Sequence, residues 1–182
     1  MTLSALPVET AAALGAQHNA PQHLRTSNIS VRLLQSPAVG SALLRFLDVF
    51  LTQGSLDKRT RELIILRVAW KSRSQYVFGR HKATAQTCMS DAELWGVRDP
   101  ANCPSYSEVD LAVLSATDEL LADAAIGEET QRVLARHFSP QQLVDIILAA
   151  GNWRIFATLD NSAHVPLEPG YTSWPPGQGP GD

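Results

Sequence analysis

The chain has little of what marks several protein classes. Its 182 residues include two cysteines, Cys88 and Cys103. They are far apart and form no C-x-x-C or ligand-spaced pattern, so they read as free thiols of a reducing compartment. Neither sign of charge dominates. Fifteen basic residues against eighteen acidic ones give a net charge of −3, which removes the electrostatic case for nucleic acid. No apolar run approaches the roughly 20 residues of a membrane helix. The start, Met1-Thr2-Leu3-Ser4-Ala5-Leu6-Pro7, has neither a charged segment nor an apolar one, so a secretory signal is not expected and a cytoplasmic location is. Glycine-rich phosphate loops, fixed-period repeats and metal-ligand spacings are missing too, so neither a metal nor another cofactor is expected.

What is present is helical periodicity over an apolar content of 45%, enough for a real core. Residues 1–25 read as an arm with one short helix. Ile29, Leu33 and Leu34 predict a helix that stops before Pro37. Val39, Leu43, Leu44, Leu47 and Leu51 recur at helical spacing up to Gly54. The next helix starts near Asp57 and is apolar almost all round through Trp70, the pattern of an interior helix. A helix over about Gln75 to Thr87 follows. Ser90-Asp91-Ala92-Glu93 is a capping box for a short helix ending near Gly96. A loop over Pro100 to Ser105 leads to a helix capped by Ser107, then one from Gly127 to His137. Ser139-Pro140-Gln141-Gln142 opens a long last helix reaching toward Ala163. Residues 171–182 carry Trp174-Pro175-Pro176-Gly177 and read as a flexible tail. The fold class is all-α, one domain over residues 26–170.

Two residues in this pattern carry chemistry. Glu62 lies about three turns before the polar turn at Lys71–Ser74, and His81 about two turns after it. Antiparallel helices bring such positions within reach where the two side chains face each other, which the rise per residue alone does not fix. A carboxylate and an imidazole in an apolar bundle can move a proton. The competing reading makes Glu62 a first-turn acid or a partner of Arg59 or Arg61, and His81 a surface histidine. Ser74, Val77 and His81 fall at i, i+3 and i+7 on one face, with Tyr76 and Arg80 alongside. Arg73, Arg80 and Lys71 are candidates to hold an anionic substrate. Trp70, Phe78, Trp95, Trp153 and Phe156 are candidate pocket walls or simple packing.

On Arg61-Glu62-Leu63 with Leu66-Arg67-Val68-Ala69, then Tyr76 and His81, then Leu94, the chain resembles the carboxymuconolactone decarboxylase family, which includes the alkylhydroperoxidase D-like proteins. The nineteen-residue spacing from Glu62 to His81 matches that family's. Asn161 and Val165-Pro166-Leu167-Glu168 resemble its longer members. The resemblance implies an alkylhydroperoxidase D-like helical bundle and a homo-oligomer, trimer or hexamer, with Glu62 and His81 in one pocket near a subunit interface. Its peroxidase branch carries Cys-x-x-Cys before the histidine. Here those positions are Ser74 and Val77, so thiol peroxidase activity is not expected. The other branch often has an acid where this chain has Val77.

The expected function is that of a decarboxylase-like lyase or isomerase acting on a small carboxylated, lactone or enolisable substrate. Glu62 and His81 would serve as acid and base, with Tyr76 donating to a developing oxyanion. Arg73, Arg80, Ser74, Val77 and Trp70 would bind the substrate. The alternative is a non-catalytic oligomer, a ligand-binding pocket or a scaffold.

Overall fold

The computed structural model describes residues 3–175 and 177–180. Among them, nine α-helices and two short 3-10 turns account for the regular structure, and there is no strand. The helices are α1 (Val8–Gln17), α2 (Asn28–Leu33), α3 (Pro37–Gln53), α4 (Lys58–Lys71), α5 (Gln75–Ala85), α6 (Asp91–Gly96), α7 (Glu108–Asp123), α8 (Glu128–His137) and α9 (Pro140–Ala163). The chain forms two compact units. One comprises Met1–Gly54 with Leu159–Gly170, the other Ser55–Thr158 with Tyr171–Asp182.

In the first unit, α1, α2 and α3 pack on one another. Ala11, Ala20, Val31, Leu34 and Leu44 make its core, with Leu6, Leu24 and Leu33 against it. Residues 1–25, read as an arm, thus contribute Ala11 and Ala20 to a core. Arg25 reinforces this by donating through Nε and Nη2 to the Ala20 carbonyl, at 2.8 and 2.6 Å. A side chain at Gly40 would overlap the Leu33 carbonyl, so the close joint between α2 and α3 needs glycine there. The segment after α9 is tied to α2: Asn28 donates its backbone N–H to Glu168 Oε1 and its side-chain amide to the Pro166 carbonyl, each at 2.9 Å.

The second unit is built around α4. Glu62 through Ala69 are all buried, the apolar residues as their run predicts and Glu62 and Arg67 along with them, and α5 and α7 pack against this helix. The expected capping box of Ser90 with Glu93 opens α6, and the expected Ser107 cap of α7 proves to be a box with Asp110. Ser139 and Gln142 cap α9 reciprocally. Arg59, in the first turn of α4, bonds both box acids, Asp110 and Glu93. Thus three helix starts share one guanidinium. Arg67 lies buried and forks onto Asp118 of α7 at 2.7 and 2.5 Å, and it also donates to the Val97 carbonyl.

Two boundaries differ from expectation. α5 stops at Ala85 rather than near Thr87, because the amides there bond back three residues instead of four, Thr87 N–H to the Thr84 carbonyl and Cys88 N–H to that of Ala85. The loop at Pro100–Ser105 contains a 3-10 turn, Pro100–Asn102. The segment from 171, expected as a flexible tail, packs where it is described. Trp174 is buried, edge-on to Trp70 and Phe78 with ring centroids 5.3 and 5.2 Å apart. Its indole has more apolar area to hide than the surrounding Pro and Gly residues suggest. Residues 176, 181 and 182 of that tail lie outside the described residues.

Candidate functional site

The site is set by the turn between α4 and α5. Arg73 takes a left-handed conformation, φ 56°. Its N–H bonds the Trp70 carbonyl, and the Ser74 N–H bonds that of Ala69, at 3.0 and 2.9 Å. These two bonds are a Schellman ending for α4. Ser74 then starts α5, its hydroxyl accepting the Val77 N–H at 3.2 Å. The chain reverses in three residues, and α5 returns alongside α4.

That reversal brings Glu62 and His81 together. His81 Nδ1 lies 2.8 Å from Glu62 Oε2. Glu62 is only 1% exposed, and His81 is 20% exposed. Arg61 Nε stands at 3.5 Å from Glu62 Oε1, a long contact. Arg59, the other expected partner of Glu62, is committed to α6 and α7. The pair is therefore a buried carboxylate against a half-buried imidazole, the arrangement that proton transfer needs.

A third member comes from α9. Trp153 donates its indole N–H to His81 Nε2 at 3.0 Å, with the two rings edge to face. The sequence reading gave Trp153 only a packing or pocket-wall role. It stands seventy-two residues from His81, so no local pattern marks the bond. Its neighbour Asn152 is buried, and neither polar atom of its amide has a hydrogen-bond partner among the described residues. A buried amide in that state costs free energy unless a water or ligand group meets it.

The other expected residues divide. Ser74 and Val77 are buried at the start of α5, one as its cap and the other bonded to that cap. Tyr76 is also buried, and helix geometry puts it about 140° around α5 from His81. Arg80 lies over the Tyr171 ring, 4.3 Å from its centroid. Trp70 packs against Trp174. Arg73 is exposed at the turn, and Lys71 stands 3.7 Å from Asp118. An open cavity of about 680 Å³ is lined by Trp70, Trp95, Arg98, Asn102 and Cys103, but by neither Glu62 nor His81. Cys88, just after α5, has its thiol pushed up from its ordinary range, first by burial and then by the charge of Glu62. It is a weak thiolate at neutral pH. No group of three or more His, Cys, Asp or Glu among the described residues is placed to hold a metal ion.

No family model matches the chain, and no curated protein does. Solved structures do. A protein of unknown function from Agrobacterium tumefaciens, whose description links it to the antioxidant defence protein AhpD, superposes with a TM-score of 0.68 at 19% identity. It covers 74% of this chain and 94% of its own. An alkylhydroperoxidase AhpD core, an uncharacterized peroxidase-related protein from Ralstonia eutropha JMP134, gives 0.73 at 17% identity over 93% of this chain and 94% of its own. A peroxidase-related protein from Silicibacter sp. TM1040 gives 0.68 at 18% identity, over 91% and 88%. With these neighbours and its all-helical order, the chain has the alkylhydroperoxidase D-like fold.

Proposed function

We propose that this protein is an acid/base enzyme of the decarboxylase-like kind, a lyase or isomerase for a small carboxylated, lactone or enolisable substrate. The observation that carries the reading is the 2.8 Å contact between His81 Nδ1 and a Glu62 carboxylate withdrawn from water. Such a pair takes a proton from a substrate carbon or oxygen and returns it elsewhere. It needs no nucleophile. With Ser74 and Val77 at the start of α5 and Cys88 a weak thiolate, thiol peroxidase chemistry is not part of the proposal. Arg80 is proposed as a partner for a substrate carboxylate, while Tyr76, about 140° around α5 from His81, is left out of the constellation.

Self-association belongs to the proposal. α9 leaves Val144, Ile147, Leu148 and Ile155 exposed, and Gly151 between them has open space around it. Positions 144, 148, 151, 155 and 158 follow a four-three spacing that reads much the same in both directions about Gly151. A second copy running antiparallel would meet this stripe with its own.

The test is substrate-dependent hydrogen exchange in D2O and product formation over a panel of small lactones and enolisable carboxylic acids. Glu62→Gln and His81→Ala should each lower turnover about 10²- to 10⁴-fold. Full turnover by either variant overturns the assignment. One observation favours the second reading, a pocket that binds without turnover: both imidazole nitrogens already have partners. It predicts saturable binding of a small apolar acid with no exchange and no product.

A further inference from the structure

We propose that Trp153 is a positioning residue that holds His81 as the neutral tautomer protonated on Nδ1. The inference deepens the acid/base reading and depends on it for its catalytic meaning, but not for its test.

The direction of the hydrogen bonds follows from what each atom can do. An indole nitrogen donates and never accepts. His81 Nε2, 3.0 Å from Trp153 Nε1, must therefore present its lone pair and carry no proton. A neutral imidazole then has its single proton on Nδ1, and that proton points at Glu62 Oε2, 2.8 Å away. The chain of donation runs one way, from Trp153 to His81 to Glu62. An imidazolium at His81 would set two N–H groups against each other at Nε2. The charged groups nearby do not disturb this order. Arg61 on α4 reaches Glu62 rather than the imidazole. On α5, Arg80 lies over Tyr171 and Lys82 reaches Thr172. On α9, Arg154 donates to Ser72.

The consequence is that the resting site holds a base and not an acid. Trp153 occupies the Nε2 lone pair on the side of the ring away from Glu62. The Nε2 lone pair is reserved and becomes available when a substrate C–H or O–H takes the place of the indole N–H. The substrate bond to hydrogen then breaks, an Nε2–H bond forms, and the electron pair stays on the substrate as an enolate or alkoxide. The imidazolium so produced lies against the Glu62 carboxylate.

The tautomer is read in the substrate-free protein, with histidine labelled by ¹⁵N, from two-bond ¹H–¹⁵N correlations at neutral pH. His81 should show a protonated Nδ1 and a bare Nε2. Trp153→Phe keeps an aromatic ring in the core but removes the donor. It should raise the ratio of His81 protonated on Nε2 to His81 protonated on Nδ1 about two- to tenfold, the worth of one neutral hydrogen bond. A wild-type His81 that is protonated on Nε2 overturns the proposal without any variant. So does a folded Trp153→Phe protein with an unchanged ratio. Loss of the acid/base reading would instead appear as full turnover in Glu62→Gln with the tautomer intact.

Discussion

Replacing Arg59 by Met tests how the entry to α4 is held, one turn before Glu62. Met keeps the aliphatic stem and removes the charge that Asp110 and Glu93 share. Hydrogen bonds to charged groups contribute about 1.5–3 kcal/mol when buried, and exposed ion pairs about 0–1 kcal/mol. Arg59 is 29% exposed, with partners more buried than itself, so about 1 kcal/mol per partner is reasonable. The variant should lose about 2 kcal/mol, or about 4–8 °C in Tm for a chain of this size. The loss should depend on pH. Burial pushes the Asp110 carboxyl up, but hydrogen bonds from Arg59 and Ser107 outweigh it and hold the group below its ordinary range. The Ser90 backbone N–H holds Glu93 low against burial, with help from the Ser90 hydroxyl and Arg59. A depressed carboxyl stabilises the fold above its unfolded pKa, near 4, and that contribution fades as pH falls through the folded value. Urea unfolding at pH 7 should therefore show the full difference between wild type and Arg59→Met. The difference should shrink steadily below about pH 4. A gap under 0.5 kcal/mol at pH 7 (about the noise of such extrapolations), or one that is the same at pH 3, refutes the reasoning.

Asp118→Ala strands the Arg67 guanidinium with only backbone carbonyls. Asp118 is 31% exposed, so the expected cost is about 3 kcal/mol, the low end for breaking a buried pair; a urea-derived loss below about 1 kcal/mol would mean that water replaces the carboxylate. Arg73→Gly relieves a left-handed backbone that glycine adopts freely, and should raise stability by about 0.5–1 kcal/mol. A destabilised variant in thermal melts would show that the Arg73 side chain holds the turn. Leu148→Glu with Ile155→Glu should reduce the mass measured by light scattering to that of one chain, since two carboxylates would then face their symmetry mates. An unchanged oligomer would move the interface off α9. Cys88, raised by burial and by Glu62, should react with iodoacetamide more slowly than a free thiol at pH 7, and a rate equal to that of glutathione would count against its half-buried setting.

The parts legible in the sequence were those with local causes. Ser90 and Glu93, and Ser139 with Pro140 and Gln142, announce helix starts because a cap satisfies amides only three residues away. The apolar run from Leu63 to Ala69 places α4 inside because no face of it suits water. The rise per residue and one short turn put Glu62 and His81 at a similar height but did not fix which way they face; their nineteen-residue spacing, shared with the family the chain resembles, is what pointed to the pair. What stayed hidden depends on distance along the chain. Arg59 and Arg67 each find an acid fifty-one residues on, and any of several acids would have served as well on paper. Trp153 is one tryptophan in an apolar helix, and only the packing of α9 turns its N–H toward His81. The tail was read from its Pro and Gly content, which says nothing about where a single Trp174 will find a partner.

The packing of Trp174 also bears on how the molecule is made. Trp70 and Phe78 leave the ribosome well before the residue that covers them, and at about 5–20 residues per second the interval is on the order of 5–20 s. Phe78 gains a stacking partner early, from Trp95, but through that interval the faces that Trp174 covers on α4 and α5 stay open. Those faces are a natural grip for a chaperone, and a natural point of failure when synthesis stalls.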